Sequence, residues 1–284
     1  AEVTAADTLT AFNSDGFTLG ADASNYAANQ NSETYASWNW KAGTTGSGTS
    51  TGSGTGKAYS YSVNTTAGFS IVKYAGNGSA GHTIPHHLGA VSKMIIIKDL
   101  SDNESWRVYH GANTTSPQTD YLVLNDATAT ADDNTVWNDV APTSSVFTLG
   151  TGNPVNNSTH NYIAYCFAEK TGYSKFGSYV GNGNADGTFI YTGFKPAFIM
   201  LKNASSAGTN WFMHDVARNP SNPIGYYLTA DNSTADQTTE LLDIVSNGFK
   251  QRNSYANLND SGDTYIYMAF AEQPLVGDNP ATAR

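Results

Sequence analysis

Cysteine occurs once, at Cys166, so no disulfide can form within the chain and its core alone must hold it. That single thiol leaves the compartment open. Charge is also scarce: 13% of residues are Asp, Glu, Lys or Arg, against an ordinary share of about 25%. Within that small share acids dominate, 24 against 14 bases, for a formal net charge of −10. No basic run interrupts this, which excludes wrapping a phosphate backbone, since that needs clustered Lys and Arg. Long apolar runs are missing too. The longest, Met94 to Ile97, is strand-sized and far short of the ~20 residues that span a bilayer. The chain begins at Ala1 with neither an initiator Met nor a signal-peptide pattern, and reads as a processed or trimmed piece of something longer.

Aromatics are plentiful. Seventeen Tyr, 12 Phe and 5 Trp, with 39% hydrophobic residues overall, separate the chain from disordered sequences of similarly low charge. Its polar residues are mainly Asn, Thr, Ser and Gly, which favour turns and strands and are poor in helix interiors. A loop-rich β protein is expected.

The sequence repeats itself. Gly76-Asn77-Gly78 recurs as Gly181-Asn182-Gly183, 105 positions later. An apolar strand ending in Lys follows each copy, Met94–Lys98 and Ile199–Lys202. Next come Trp106 and Trp211, again 105 apart, and then Tyr121-Leu122 and Tyr227-Leu228. Each copy closes on an aromatic strand, Tyr162–Glu169 and Tyr265–Glu272. A third, partial copy stands in front: Asp15–Gly20 (DGFTLG) matches Val146–Gly150 (VFTLG), and Tyr35–Lys41 stands where a closing aromatic strand belongs. Residues 1–42 read as the last strands of a partial upstream repeat, and 43–66 as a Gly/Ser/Thr linker whose stretch GTTGSGTSTGSGTGK is flexible. Residues 67–171 and 172–275 are two repeats, and 276–284 a tail.

Within a copy, strands are expected at Ser70–Tyr74, Met94–Lys98, Trp106–His110, Tyr121–Leu124, Val146–Leu149 and Tyr162–Ala168. Met94–Ile97 does not alternate, as befits a central strand covered on both faces. Helical spacing occurs only in Thr238–Ser246, where one or two turns are expected at most. Six or seven short strands per copy, joined by Gly- and Asn-rich turns, give the fold class: all-β, tandem β-sandwich repeats of jelly-roll or immunoglobulin-like size, each about 100 residues.

Several motifs invite chemistry. Gly76–Gly81 fits G-x-G-x-x-G, but Pro85 follows where a dinucleotide site needs a helix, so a hairpin turn is expected. Gly48-Thr-Ser-Thr-Gly52 fits the nucleophile elbow G-x-S-x-G, yet it lies in the linker, with nothing to hold it. His82, His86, His87 and His110 are the metal candidates. His86 and His87 would point to opposite faces of a strand, so one at most can join His82, and surface or satisfied histidines beside a turn are the favoured reading. Acidic loops raise calcium: Asp126, Asp132, Asp133 and Asp139 in one copy, Asp231, Asp236 and Asp243 in the other, with Asp186 in the Gly-Asn-Gly loop. None has EF-hand spacing, and Asp is a favoured turn residue. His82, His86 and Asp186 therefore stand as metal candidates without an assigned ligand set. Glu169 and Glu272 end equivalent strands and are not a facing carboxylate pair. No catalytic, cofactor-binding or ligand-binding residue is assigned.

The segments FNSDGFTLG (12–20), YASWNWKAG (35–43), AGFSIVKYAGNGSAG (67–81) through MIIIK (94–98), WNDVAPTSSVFTLG (137–150) and YIAYCFAE (162–169) carry a further likeness. So do GYSKFGSYVGNGNADG (172–187), GFKPAFIMLK (193–202) and YIYMAFAE (265–272). With them the chain resembles a repeat-built family of structural proteins of tailed phages, especially marine ones, often labelled tail-fibre or minor tail proteins. In that family a Pro precedes the apolar strand; this chain keeps Pro196 but has Ser92 at the first such place. The resemblance implies a virion-surface role and fixes no catalytic residue.

The expected function is a non-enzymatic phage virion surface protein, a tail fibre or decoration protein, with host-glycan attachment as an accompanying role. Its expected partners are other virion proteins, further copies of itself as a homo-oligomer, and a host-surface glycan, with no cofactor, nucleic acid or membrane insertion. Rival readings are a secreted carbohydrate-binding module or adhesin, and a glycan depolymerase, which would need clustered carboxylates in one groove.

Overall fold

A computed structural model describes residues 3–23 and 26–272. Two compact units divide the chain, Ala1–Trp40 and Lys41–Arg284.

The first unit holds one antiparallel hairpin, β1 (Leu9–Phe12) with β2 (Phe17–Leu19), pairing Phe12 with Phe17. β2 falls on the expected FTLG segment. Tyr35–Lys41, expected as a closing strand, forms no strand among the described residues. Asp22 accepts the backbone N–H groups of Tyr26 and Ala28, at 2.9 and 2.8 Å. Burial opposes its charge, but the N–H groups of Ala28, Tyr26 and Asn29 outweigh that and hold its pKa below the usual carboxylate value.

In the second unit, the stretch expected as a flexible linker instead forms β3 (Thr44–Thr49) and β4 (Thr51–Gly52), followed by β5 (Ala58–Asn64). β3 pairs with β5, setting Gly46 opposite Tyr61 and Gly48 opposite Tyr59. A Cβ on either glycine would stand within 2.8 Å of the facing tyrosine hydroxyl. The glycines are seats for two aromatic rings laid across the strand, a pairing that gives a Gly-rich strand the packing it otherwise lacks.

The chain continues through β6 (Phe69–Ala75), β7 (His82–Pro85), β8 (Met94–Asp99), β9 (Arg107–His110), β10 (Asp120–Val123) and β11 (Ala131–Asp132). Then come the one-turn helix α1 (Asn134–Trp137), β12 (Val146–Leu149), the one-turn helix α2 (Asn153–Asn156) and β13 (Asn161–Phe167). The strands make an antiparallel eight-stranded sheet in the order β11-β10-β9-β8-β13-β6-β5-β3, and a three-stranded one, β12-β7-β4. Ile95, Ile97, Val72, Tyr74 and Ala164 of the large sheet share one core with Ile84, Phe147 and Leu149 of the small sheet. β8 lies between β9 and β13 and is buried from Met94 to Ile97, as its lack of alternation predicted.

The rest of the chain forms β14 (Ser174–Val180), β15 (Phe189–Tyr191), β16 (Pro196–Asn203), β17 (Trp211–Asp215), β18 (Ile224–Thr229), β19 (Gln237–Val245), β20 (Gly248–Gln251), the one-turn helix α3 (Ala256–Asn259) and β21 (Thr264–Ala271). Their order is β14-β21-β16-β17-β18-β19-β20-β15, one antiparallel ladder that bends almost closed like a barrel. Thr238–Ser246, the candidate helix, is instead most of β19. Its backbone pairs with β18 on one side and β20 on the other, and those ladders override the helical spacing of its leucines.

Several contacts recur at corresponding places in the two stretches. Tyr74 stacks on Tyr162 at 5.1 Å between ring centres, and Tyr179 on Tyr265 at 5.0 Å. The Tyr74 hydroxyl donates to the Val155 carbonyl, and the Tyr179 hydroxyl to that of Leu258, both at 2.7 Å. The N–H of Gly78 donates to Asn156 O, and that of Gly183 to Asn259 O, both at 2.8 Å. Trp106 N–H reaches the Asn125 side chain at 2.9 Å, and Trp211 N–H that of Asp231 at 3.0 Å. A Cβ on Gly76 would lie 2.2 Å from the Asn157 carbonyl oxygen, and one on Gly181 2.1 Å from that of Asp260, so neither position admits a side chain.

These stretches are not beads on a string. Ile266 and Met268 lie on the face of β21 opposite Tyr265 and Tyr267, and both faces are buried. Phe270 and Phe176, which flank them, meet Phe167 of β13 at 6.1 and 6.0 Å between ring centres. Trp211 Nε1–H donates to the Val123 carbonyl at 2.8 Å, Gly208 N–H to Ala127 O at 2.8 Å, and Thr130 N–H to Ala204 O at 3.1 Å. A buried apolar junction with its polar groups paired makes Lys41 onward a single unit.

Candidate functional site

β7 and α2 bring together three residues far apart in sequence. His82 opens β7, and Ser50 lies between β3 and β4, the latter pairing with β7 at Thr51–Thr83 and Gly52–His82. Asn156 ends α2. Ser50 Oγ lies 2.6 Å from His82 Nε2, and His82 Nδ1 2.9 Å from Asn156 Oδ1. Exposures are 3% for Ser50 and 0% for His82 and Asn156.

The proton positions follow from the partners. Asn156 Nδ2 donates to two carbonyls, Gly150 O at 2.7 Å and Ser79 O at 3.0 Å. Carbonyls only accept, so this atom is the amide NH₂, and Oδ1 is the atom facing His82. His82 must then carry its hydrogen on Nδ1, leaving Nε2 a bare acceptor for the Ser50 hydroxyl. Ser50 Oγ also accepts the Lys57 N–H at 2.8 Å. Burial lowers the His82 pKa, and the bond to Asn156 partly restores it. The arrangement is a hydroxyl, a base that can take its proton, and an amide that fixes the base's tautomer.

Ser50 is the serine of the G-x-S-x-G stretch, which the sequence alone leaves without support. The support exists: β3, β4 and β7 pair as strands around Ser50, and Gly52, at the end of β4, turns the chain with φ +85°. The sequence points to His82 as a metal candidate, and no spacing rule links it to a serine 32 residues earlier.

The other candidates lie apart. His86, fully buried, approaches Thr143 O through Nε2 at 3.2 Å and accepts Leu88 N–H on Nδ1 at 3.2 Å; burial lowers its pKa. His87, just past the end of β7, stacks on Tyr61 at 3.7 Å. His110 sits at the junction. Asp186 is on the surface, ion-paired with Lys250, which keeps its pKa low. His82, His86 and Asp186 thus do not converge, and among the described residues no group of three or more His, Cys, Asp and Glu could hold a metal ion. Of the calcium candidates, Asp133 caps α1, Asp231 holds Trp211 N–H, Asp236 pairs with Arg218 and Asp243 with Arg252.

A second surface escaped the sequence reading. Phe189 and Tyr191, alternate residues of β15, are 48% and 64% exposed, and nearby Val180 is 55% exposed. Among the described residues β15 pairs with β20 alone, so its other edge is open.

The fold defines a β-rich protein of antiparallel sheets. The chain belongs to DUF7483, a family described as a domain of unknown function, whose model matches residues 1–274. No curated protein and no solved structure matches it.

Proposed function

We propose that the chain is a structural protein of a phage particle's surface, a tail fibre or decoration protein built from two tandem β-sandwich repeats. One observation carries this reading: two stretches with matching internal hydrogen bonds are joined by a buried aromatic junction into one stiff unit. A spacer or contact element must resist bending, and a dry, hydrogen-bonded junction provides that resistance. The segment resemblance to tail-fibre-like proteins supports the same reading. Other virion proteins and further copies of the chain are its partners. Antibody labelling of negatively stained phage particles tests it, with label on tail or capsid expected. Label confined to host-cell material would overturn it.

A second reading is favoured by β15, whose two exposed aromatic faces flanked by Lys250 and Asp186 suit stacking on a sugar ring. In this reading the surface contacts a host glycan. A glycan array probed with the soluble chain should show binding that Tyr191→Ala removes.

A further inference from the structure

We propose that Ser50, His82 and Asn156 form a nucleophilic site that cleaves small acyl esters. This goes beyond the virion-surface reading and does not rest on it.

The plain alternative is that the three residues merely brace a loop. The second half of the chain bears on this. There Asn259 holds the equivalent loop by the same means, donating to Asn253 O at 2.7 Å and Asn184 O at 2.8 Å while its Oδ1 accepts Asn182 N–H at 3.0 Å. Thr188 stands where His82 stands in the first half, and its hydroxyl turns away to the Val180 carbonyl at 2.9 Å. The loop therefore folds without a histidine or a buried serine. His82 is thus an addition to a loop that folds without it; Ser50 reaches it from the β3–β4 segment, which has no counterpart in the second half, and the three are set in the order hydroxyl, base, orienting amide.

In the reaction, Ser50 Oγ bonds to the ester carbonyl carbon while its proton passes to His82 Nε2. Asn156 Oδ1 holds the resulting imidazolium through Nδ1–H. The Lys57 N–H, already 2.8 Å from Oγ, is a donor beside the oxyanion. The C–O bond to the leaving alcohol breaks and His82 returns the proton to that alcohol. Water, deprotonated by the same nitrogen, then releases the acid and restores Ser50. Access runs through Thr51–Gly56, every residue of which is exposed. This segment is tied down by Ser53 N–H to Gly81 O at 2.9 Å, and by Asn77 Nδ2 to Ser53 O and Thr55 O at 2.9 and 3.1 Å. With Ser50 only 3% exposed, its oxygen is within reach of an acyl group of acetyl size rather than a long chain.

The test is a fluorophosphonate, which bonds phosphorus to the serine oxygen with loss of fluoride while His82 takes the proton. Peptide mapping of the labelled full-length chain should place the adduct on Ser50, with none in Ser50→Ala. Asn77→Ala, which frees the covering segment, should label faster. His82→Gln, with its fold checked by near-UV circular dichroism, should label about 100-fold more slowly. The idea is overturned if neither the unaltered chain nor Asn77→Ala is labelled, if label spreads over exposed serines, or if folded His82→Gln reacts at the original rate. A virion protein without this adduct, or an adduct on a chain absent from virions, would separate this failure from that of the surface reading.

Discussion

His110 Nε2–H donates to the carbonyl of Tyr267 at 3.1 Å, from β9 across to β21. Its Nδ1 accepts the N–H of Ala112 at 3.2 Å, so the neutral ring is satisfied at both nitrogens and a second proton would break the Ala112 bond. Burial lowers its pKa to about 4, with the Tyr267 bond opposing. The unfolded chain therefore binds this proton more readily than the folded one. The stability held by the neutral ring is complete above pH 6.5 and is lost as pH falls toward 4, by about 3 kcal/mol for the full shift. His214, fully buried and likewise lowered to about 4, acts with the same sign. Urea unfolding at pH 7 and pH 4.5 should show the loss, and His110→Gln should flatten the slope between them.

Gly76 and Gly181 give a sharper test of matching construction. A methyl group at either would sit about 2 Å from a backbone carbonyl oxygen, which no rotamer change relieves. Gly76→Ala and Gly181→Ala should each cost roughly 1–3 kcal/mol, the range of overpacked cores. Gly78 and Gly183 are the contrasting pair: their strain would come from φ of +72° and +64°. Thermal or urea unfolding of the four variants should show the two members of each pair behaving alike.

How much of this was legible beforehand depended on what signal each element carried. β8, β12 and β13 announce themselves as short apolar runs with turn residues at both ends. The match between Tyr74 and Tyr179 was visible because their Gly-Asn-Gly neighbours recur. β3 was not, since its glycines make sense only opposite Tyr59 and Tyr61, a cross-strand relation that composition cannot express. β19 misled because adjacent Leu241 and Leu242, both fully buried, mimic a helical stripe. The Ser50–His82 contact was hidden for the same reason as β3: the segment looked like linker.

Tyr74 and Tyr179 predict a graded pair. Tyr74→Phe strands one buried carbonyl, that of Val155. Tyr179→Phe strands the Leu258 carbonyl and also the Gln251 Nε2–H that its hydroxyl accepts at 3.0 Å. An unpaired buried polar group costs about 1–3 kcal/mol, so Tyr179→Phe should destabilise more than Tyr74→Phe by at least about 1 kcal/mol. Equal losses in urea unfolding would count against the Gln251 contact.

β14 lies at the end of its sheet, and an edge strand invites pairing with another chain. The chain occupies part of this edge itself. Ser174 N–H donates to the Lys170 carbonyl at 2.9 Å, Phe176 N–H to the Glu169 carboxylate at 3.3 Å, and Thr188 Oγ1 donates to Val180 O at 2.9 Å. Lys175 pairs with Glu169 at 3.0 Å and holds the carboxylate there. Glu169→Ala would free the Phe176 N–H and remove a charge from the edge, while the loss of a half-exposed ion pair costs under about 1 kcal/mol of stability. The variant should therefore unfold at nearly the same urea concentration yet self-associate at lower protein concentration, as read by light scattering. A matched loss of stability without association would mean that Glu169 supports the fold and does not guard the edge.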